Sequence, residues 1–93
     1  MITAFVLLDI DVACIPEAAR SICEIDGVTE VYSVTGRYDL IAKVSVPQNE
    51  DLADVVTGRI GKIEGIQGSE TVIAFRNYAD SLLDAGFSLG SGR

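Results

Sequence analysis

Five consecutive residues bring together an unusual set of side chains for so short a stretch. Thr35, Gly36, Arg37, Tyr38 and Asp39 supply a hydroxyl, a permissive glycine, a cation, a phenol and a carboxylate. Gly36 allows backbone N–H groups to point at a small anion, and Asp39 can accept a hydrogen bond from an ammonium group. Such a pairing would suit a zwitterion such as an amino acid. The simpler interpretation is that Gly36 serves a turn and Asp39 is a solvated residue at a strand edge.

A second group of polar side chains lies where the last strand is expected to begin. Ser69, Glu70 and Thr71 follow Gly68 in the chain. Because side chains alternate along a strand, the hydroxyls of Ser69 and Thr71 would share one face and could line a polar pocket. Hydroxyl side chains are equally ordinary at the start of a strand, so this group alone does not assign a function.

Residue types that usually carry catalysis or bind metals are scarce. The chain has no His and no Trp, so acid–base chemistry would depend on Asp, Glu, Tyr or Lys. Asp39 and Lys43 share a strand face, but four residues along a strand separate them by about 13 Å, too far for a pair. Cys14 and Cys23 are expected to be reduced thiols, and no zinc ligand set is present. We therefore expect no catalytic residue, no metal site and no cofactor.

The composition indicates a single acidic domain. Its 93 residues include 14 acidic and 7 basic side chains, and no Lys/Arg cluster offsets the net charge of −7, so direct nucleic-acid binding is not expected. The longest apolar run, residues 4–8, is too short to span a bilayer, and the first residues do not look like a secretion signal. We predict a cytoplasmic protein without a membrane segment.

The hydrophobic pattern predicts six elements in the order β-α-β-β-α-β. Strands are expected over residues 3–10, 28–35, 38–46 and 70–78, and helices over about 16–25 and 49–63. Gly36-Arg37 would form a tight hairpin between the second and third strands. Two tandem β-α-β units give an α+β, ferredoxin-like sandwich, a four-stranded antiparallel sheet with two helices on one face.

An internal repeat supports this order of elements. Residues 22–28 (ICEIDGV) match residues 60–66 (IGKIEGI), and each copy would end a helix at a glycine before a strand begins. The alternative is that two helix ends converged on similar residues.

One face of the predicted sheet has no helix to cover it. Ile41, Ile73 and Phe75 are assigned to this open face together with half of the first strand. A solvated face would instead alternate to polar residues. A second subunit packed sheet to sheet, at about 10 Å, would cover these side chains, so we predict a homodimer through the sheet face.

The two polar groups resemble, in matching order and spacing, motifs of a known family. Residues 34–40 (VTGRYDL) look like the Gly-x-Tyr/Phe-Asp hairpin in the ligand-binding (RAM) domain of the Lrp/AsnC family of amino-acid-responsive regulators. Residues 65–71 (GIQGSET) resemble that family's Gly-Val-x-x-Thr-x-Thr stretch, with Ser69 in place of the first Thr. The resemblance divides the chain into a ligand-binding domain, residues 1–78, and a C-terminal tail, residues 79–93.

The resemblance implies a non-enzymatic sensor of an amino acid or a similar small effector. It implies a site between neighbouring dimers, with Gly36, Tyr38 and Asp39 from one subunit and Ser69 and Thr71 from another. It also implies assembly of the dimers into an octamer or a decamer. Because the chain begins at the first strand, a helix-turn-helix is expected to be absent, and mixed oligomers with full-length Lrp/AsnC regulators would be its route to transcription regulation.

Two alternatives stay open at this stage. The first is a small dimeric α/β-barrel enzyme of the same topology, and the second is a purely structural oligomerisation module that binds no effector. The tail carries a short apolar motif that would dock on a neighbouring subunit, or its last residues would fray; the motif consists of Leu82, Leu83, Phe87 and Leu89.

Overall fold

Four strands form one antiparallel sheet, and helical segments follow the first and the third strand. The computed structural model describes residues 1–79. Its elements are β1 (Ile2–Ile10), α1 (Ile15–Cys23), β2 (Val28–Ser33), β3 (Leu40–Val46), α2 (Asn49–Ala53), which continues as a π-helical segment (Asp54–Arg59) and a 3-10 turn (Ile60–Lys62), and β4 (Ile66–Ile73). A separate 3-10 turn, Val12–Cys14, precedes α1. The strand order β2-β3-β1-β4 confirms the predicted ferredoxin-like α+β fold.

Alternation along the two central strands places the core on one face of the sheet. The buried residues of these strands are Ala4, Val6, Leu8 and Ile10 of β1 and Leu40, Ala42, Val44 and Val46 of β3. The helical segments cover them with Ala18, Ile22, Leu52, Val55 and Ile60. The intervening side chains, such as Phe5, Leu7 and Ile41, are only half-buried on the opposite face. The side chains of β3 therefore alternate between a buried face and a half-buried face.

The second helical segment widens because a regular helix would bring a charged side chain to the core. Leu52 and Val55 are buried, and the residue one regular turn after Val55 is Arg59. The π-helical turn adds one residue, and the N–H of Ile60 donates to the carbonyl of Val55. Ile60, with 1% of its surface exposed, thereby reaches the core instead of Arg59. The buried residues of this segment thus form one apolar stripe, but a continuous α-helix does not produce it.

The internal repeat has a structural counterpart. In each copy a backbone N–H donates at 3.1 Å to the carbonyl of a buried isoleucine, Ile22 or Ile60. The glycines that follow, Gly27 and Gly65, have φ angles of +99° and +95°, in the region that disfavours side chains. Both copies therefore end their helices and start their strands by the same backbone geometry.

β4 begins and ends earlier than predicted. It occupies Ile66–Ile73 rather than residues 70–78, and it starts directly after the glycine stop, as β2 does in the first copy of the repeat. Backbone pairing continues for one residue, because the Ala74 N–H donates to the Thr3 carbonyl at 2.9 Å. The apolar motif predicted for the tail lies outside the described residues.

The pairing of β4 with β1 also corrects the side on which two apolar residues lie. Ile73 is opposite Ala4, whose side chain is in the core, so Ile73 is on the helix-covered face. Phe75 lies beyond the end of β4 and is fully exposed. The residue that reaches the open face here is Val72, opposite Phe5. The assignment of Ile73 to the open face was therefore wrong, because alternation groups residues by face without saying which face is covered. Phe75, by contrast, lines a depression together with Phe5 and Lys43 of the open face.

Candidate functional site

The predicted hairpin is a six-residue loop, residues 34–39, at one end of the sheet. It is longer than the tight turn predicted at Gly36-Arg37, because both flanking strands stop short of it. The Val34 N–H donates to the Asp39 carbonyl at 3.0 Å, and the Asp39 N–H donates to the Leu8 carbonyl at 2.8 Å. These two bonds close the loop and fix its base to β1.

Gly36 lies at the exposed tip of the loop, as the sequence predicts. Its φ is +112°, a conformation that glycine adopts without strain. A Cβ added there would meet nothing within 4 Å, so the glycine is required by the backbone conformation and not by crowding. The backbone at this position is therefore open to an approaching ligand.

Asp39 is part of the sheet structure rather than a solvated edge residue. It is half-buried, and its Oδ2 accepts a hydrogen bond from the Ile10 N–H at 2.8 Å. This bond satisfies the backbone donor at the end of β1, where the pairing with β3 has already ended. The second oxygen, Oδ1, is the one left to accept from an ammonium group.

Tyr38 connects the loop to β4. Its hydroxyl donates to Glu70 Oε1 at 2.6 Å, and the guanidinium carbon of Arg37 lies 5.7 Å from the centre of its ring. The bond to Glu70 raises the pKa of Tyr38 above its ordinary value, partial burial and the charge of Asp9 add to the rise, and Arg37 opposes it. Sequence reasoning did not include Glu70 in the site, because only the register with β1 places its side chain near the loop.

Ser69 and Thr71 point away from this loop within one chain. They are opposite Leu8 and Val6 of β1, both of which are in the core, so both hydroxyls lie on the helix-covered side. Thr71 lines a shallow depression of about 380 Å³ against α2, together with Leu52 and Val56. The structure therefore brings Tyr38 close to Glu70 but does not bring Ser69 or Thr71 to the loop of the same chain.

The open face carries a second phenol–carboxylate pair near β2. Lys43 Nζ lies 3.2 Å from Glu30 Oε2, and the Tyr32 hydroxyl donates to Glu30 Oε1. The hydrogen bond from Tyr32, followed by that from Lys43, holds the pKa of Glu30 below its ordinary value. The same contact with Glu30 raises the pKa of Tyr32. The polar groups on this part of the face thus satisfy one another.

Other parts of the described chain offer little further chemistry. A depression of about 600 Å³ lies near the start of β1 and the end of β3, away from the 34–39 loop, and its lining includes Phe5, Lys43 and Tyr78. Residues 1–79 contain no group of three or more His, Cys, Asp or Glu side chains placed to hold a metal ion. None of the helices in this range is long and apolar enough to span a bilayer.

Comparison with known families identifies the kind of domain that has this fold and loop. The Lrp/AsnC ligand binding domain matches residues 3–83. This range includes the 34–39 loop and all of β4. The chain therefore belongs to the Lrp/AsnC ligand binding domain family, which confirms the resemblance read from the sequence.

Individual relatives place the chain within that family. It is 29% identical over 80 residues to the HTH-type transcriptional regulator FL11 of Pyrococcus furiosus, covering 86% of this chain and 52% of that protein. It therefore spans about half the length of the curated relatives it matches. Among solved structures, TTHA0845 from Thermus thermophilus is 47% identical with a TM-score of 0.81, covering 84% of this chain and 98% of that one. Escherichia coli AsnC is 30% identical with a TM-score of 0.77, covering 82% and 52%.

Proposed function

We propose that the chain is an amino-acid-sensing module that oligomerises and modulates transcription by co-assembly with full-length Lrp/AsnC regulators. The observation that carries the proposal is the family match over residues 3–83, which includes the 34–39 loop. In this proposal residues 1–78 form the ligand-binding domain, residues 79–93 contribute to an oligomer interface, and the protein is cytoplasmic. The net charge of −7 favours regulation through protein partners over direct contact with DNA.

The chemistry of the loop supports an amino acid as the effector. The exposed backbone around Gly36 would receive the carboxylate of the effector, because free N–H groups bind small anions. Asp39 Oδ1 would accept from its ammonium group, since Oδ2 is already bonded to the Ile10 N–H. Tyr38 would line the side of the site nearest to β4.

The positions of the two hydroxyls favour a site shared between subunits. Ser69 and Thr71 lie on the helix-covered side of β4, whereas Tyr38 contacts Glu70 on the open side. One chain therefore cannot direct both groups at the same small molecule. A neighbouring subunit that supplies Ser69 and Thr71 to the loop of the first subunit would complete the site.

The open sheet face supports a homodimer as the unit of assembly. Phe5, Leu7 and Ile41 are half-buried at its centre, and Val72 is 43% exposed beside them. Polar pairs at the margin, including Lys43 with Glu30, already satisfy one another. An apolar centre with a polar margin is the usual anatomy of a protein interface, so a second copy packed sheet to sheet fits this face. Such dimers would then assemble into octamers or decamers.

Calorimetric titration with each of the twenty common amino acids tests the proposal. We expect the wild type to bind at least one of them, and Asp39→Asn to weaken that binding about tenfold, because a hydrogen bond to a charged group is lost. The Asn side chain still offers an oxygen to the Ile10 N–H, which preserves the fold. Glu24→Gln, an equal change of charge at the exposed end of α1, is the control and should bind like the wild type.

Two outcomes would count against the proposal in different ways. If the wild type binds none of the amino acids, the sensing function fails and a purely structural oligomerisation module becomes the better description. If Asp39→Asn binds as tightly as Glu24→Gln, the effector lies elsewhere and the assignment of Asp39 fails.

A further inference from the structure

Glu70 is the residue of β4 that forms a hydrogen bond with the 34–39 loop. The loop is otherwise bonded to itself and to β1, through Val34, Leu8 and Ile10. Among residues 1–79, the hydrogen bond from the Tyr38 hydroxyl to Glu70 Oε1 is the contact that joins the loop to β4. It links residues 32 positions apart in the chain, so it constrains the loop relative to a strand that local sequence cannot position.

The register of β4 explains why Glu70 can make this contact. Glu70 is opposite Leu7 of β1, whose side chain is on the open face, so Glu70 projects to that side. The ring of Tyr38 is half-buried and also lies near the Arg37 guanidinium. Arg37, Tyr38 and Glu70 therefore form a continuous line of contacts from the loop tip to the sheet.

We propose that Glu70 is a positioning residue of the effector site, which holds Tyr38 and through it the 34–39 loop in the arrangement that receives the ligand. The inference rests on the proposed function, but the bond itself can be tested without a ligand. It assigns Glu70, the residue between the two hydroxyl positions of β4, a role toward the loop of its own chain. Ser69 and Thr71 are the positions that would serve a neighbour.

The charges around Tyr38 indicate the pH range in which its hydroxyl donates to Glu70. The carboxylate of Glu70 favours the neutral, donating form of the Tyr38 phenol, with Asp9 of β1 acting in the same direction and Arg37 of the loop in the opposite one. Because the pKa of Tyr38 is raised above 10.0, the bond contributes fully below that value and is lost as pH rises through the raised pKa. The loop should therefore stay attached to β4 at neutral pH.

Amide hydrogen exchange tests the attachment directly. In Glu70→Ala and in Tyr38→Phe we expect the protected amides of Val34 and Asp39 to exchange about tenfold faster than in the wild type, because a loop contact with a charged group is lost. The Ser45 amide, bonded to the Gly27 carbonyl far from the loop, should be unchanged and reports on the fold.

Tyr32→Phe is the matched control for this experiment. It removes an equivalent phenol–carboxylate bond on the same face, but one that joins residues within β2. Exchange of the Val34 and Asp39 amides should therefore stay at the wild-type rate. Glu70→Gln keeps an acceptor oxygen and should exchange at a rate between the wild type and Glu70→Ala.

Phenolate absorbance measures the pKa of Tyr38, which a general loss of stability would not change. The chain has no Trp, so the alkaline titration of its three tyrosines is unobscured. Glu70→Gln should lower the pKa of Tyr38 toward its ordinary value. Tyr32→Phe should instead remove the titration of another tyrosine with a raised pKa, Tyr32 itself. A Tyr38 pKa that is the same in Glu70→Gln and the wild type would overturn the inference.

Affinity measurements connect the attachment to the site. With the amino acid that the wild type binds most tightly in the calorimetric titration, Glu70→Ala should bind about tenfold more weakly and Tyr32→Phe normally. Equal affinity and equal exchange in Glu70→Ala and the wild type would refute a positioning role while leaving the sensing function intact. If the wild type binds no amino acid, the sensing function fails, and with it any role of Glu70 in an effector site, whatever the exchange rates show.

Discussion

Three glycines with similar backbone angles face very different surroundings. Gly27, Gly36 and Gly65 all have φ between +95° and +112°. A Cβ at Gly36 would meet nothing within 4 Å, one at Gly27 would lie 3.0 Å from Val46 Cγ1, and one at Gly65 would lie 2.4 Å from Cys14 Cβ. A side chain would therefore strain the backbone to a similar extent at all three positions. The positions differ in how closely the added Cβ would approach its neighbours.

Alanine substitution at these glycines should therefore give a graded loss of stability. We expect Gly36→Ala to lower the free energy of unfolding by about 1 kcal/mol, from backbone strain alone. Gly65→Ala should lower it by about 3 kcal/mol or more, because overpacking adds to the strain, with Gly27→Ala between them. Urea unfolding measures all three values, and equal losses at the three positions would contradict the role assigned to crowding.

The Glu30 carboxylate should make stability depend on pH in the acidic range. Its folded-state pKa lies below the ordinary value of 4.5, chiefly because Tyr32 donates to it. The contribution is therefore complete above the unfolded-state pKa and is lost as pH falls through the folded-state pKa. Urea unfolding of Glu30→Gln and the wild type should differ near neutral pH and converge at low pH.

Tyr32→Phe provides the matched comparison for Glu30. Because it removes the donor of the same bond, its effect and that of Glu30→Gln should not add in the double variant. A difference between Glu30→Gln and the wild type that stays constant as pH falls would contradict the assignment.

At the scale of elements, the π-helical turn makes a prediction about deletions. Removing Gly58 would leave Ile60 four positions after Val55, the spacing of a regular helix, so Ile60 could stay in the core. We expect the loss in unfolding free energy to be about 1 kcal/mol or less. Deleting Ser21 from the regular helix α1 would instead turn the segment before Ile22 by about 100° and should cost several times more.

Thermal unfolding followed by circular dichroism would compare the two deletions. Equal destabilisation by the two deletions would mean that the π-helical turn is required for a reason other than burial of Ile60.

Much of the architecture could be predicted from the chain because it depends on local signals. The alternation of Leu40, Ala42 and Val44 predicts a strand with one buried face, and the repeated glycine stops predict where the helices end. The loop around Gly36 was recognisable because its residue types are unusual at that spacing. Each of these features depends only on residues that are close to one another in the chain, so the sequence alone can predict it.

Features that depend on the pairing of distant strands could not be predicted in the same way. The side on which Ile73 lies and the contact between Tyr38 and Glu70 both follow from the register of β4 against β1. That register shifts between Asp9 and Ile10, where the pairing is irregular. A single sequence gives each strand its alternation but no offset between strands, so Glu70 was missed as a contact of the loop.

At the scale of the whole molecule, the proposed dimer can be tested with two substitutions of the same type. Light scattering at micromolar concentration should find a species no smaller than a dimer for the wild type. Ile41→Lys places a charge at the centre of the open face and should yield monomers, because an unpaired charge would be buried. Ile73→Lys, on the helix-covered side and 53% exposed, should leave the dimer intact.

The assignment of the open face is decided by the comparison of these two variants. A monomeric wild type would refute the dimer, and dissociation by Ile73→Lys but not by Ile41→Lys would move the interface to the other side of the sheet.

The opposite orientations of Ser69 and Glu70 on β4 have a consequence for dose and response. If every site is completed by hydroxyls from a neighbour, no site is formed by a single chain. The number of sites then depends on how many chains have assembled into oligomers. The effector concentration that half-saturates the protein would then fall as the protein becomes more abundant. The abundance of this chain would then help to set the effector concentration at which the sites fill.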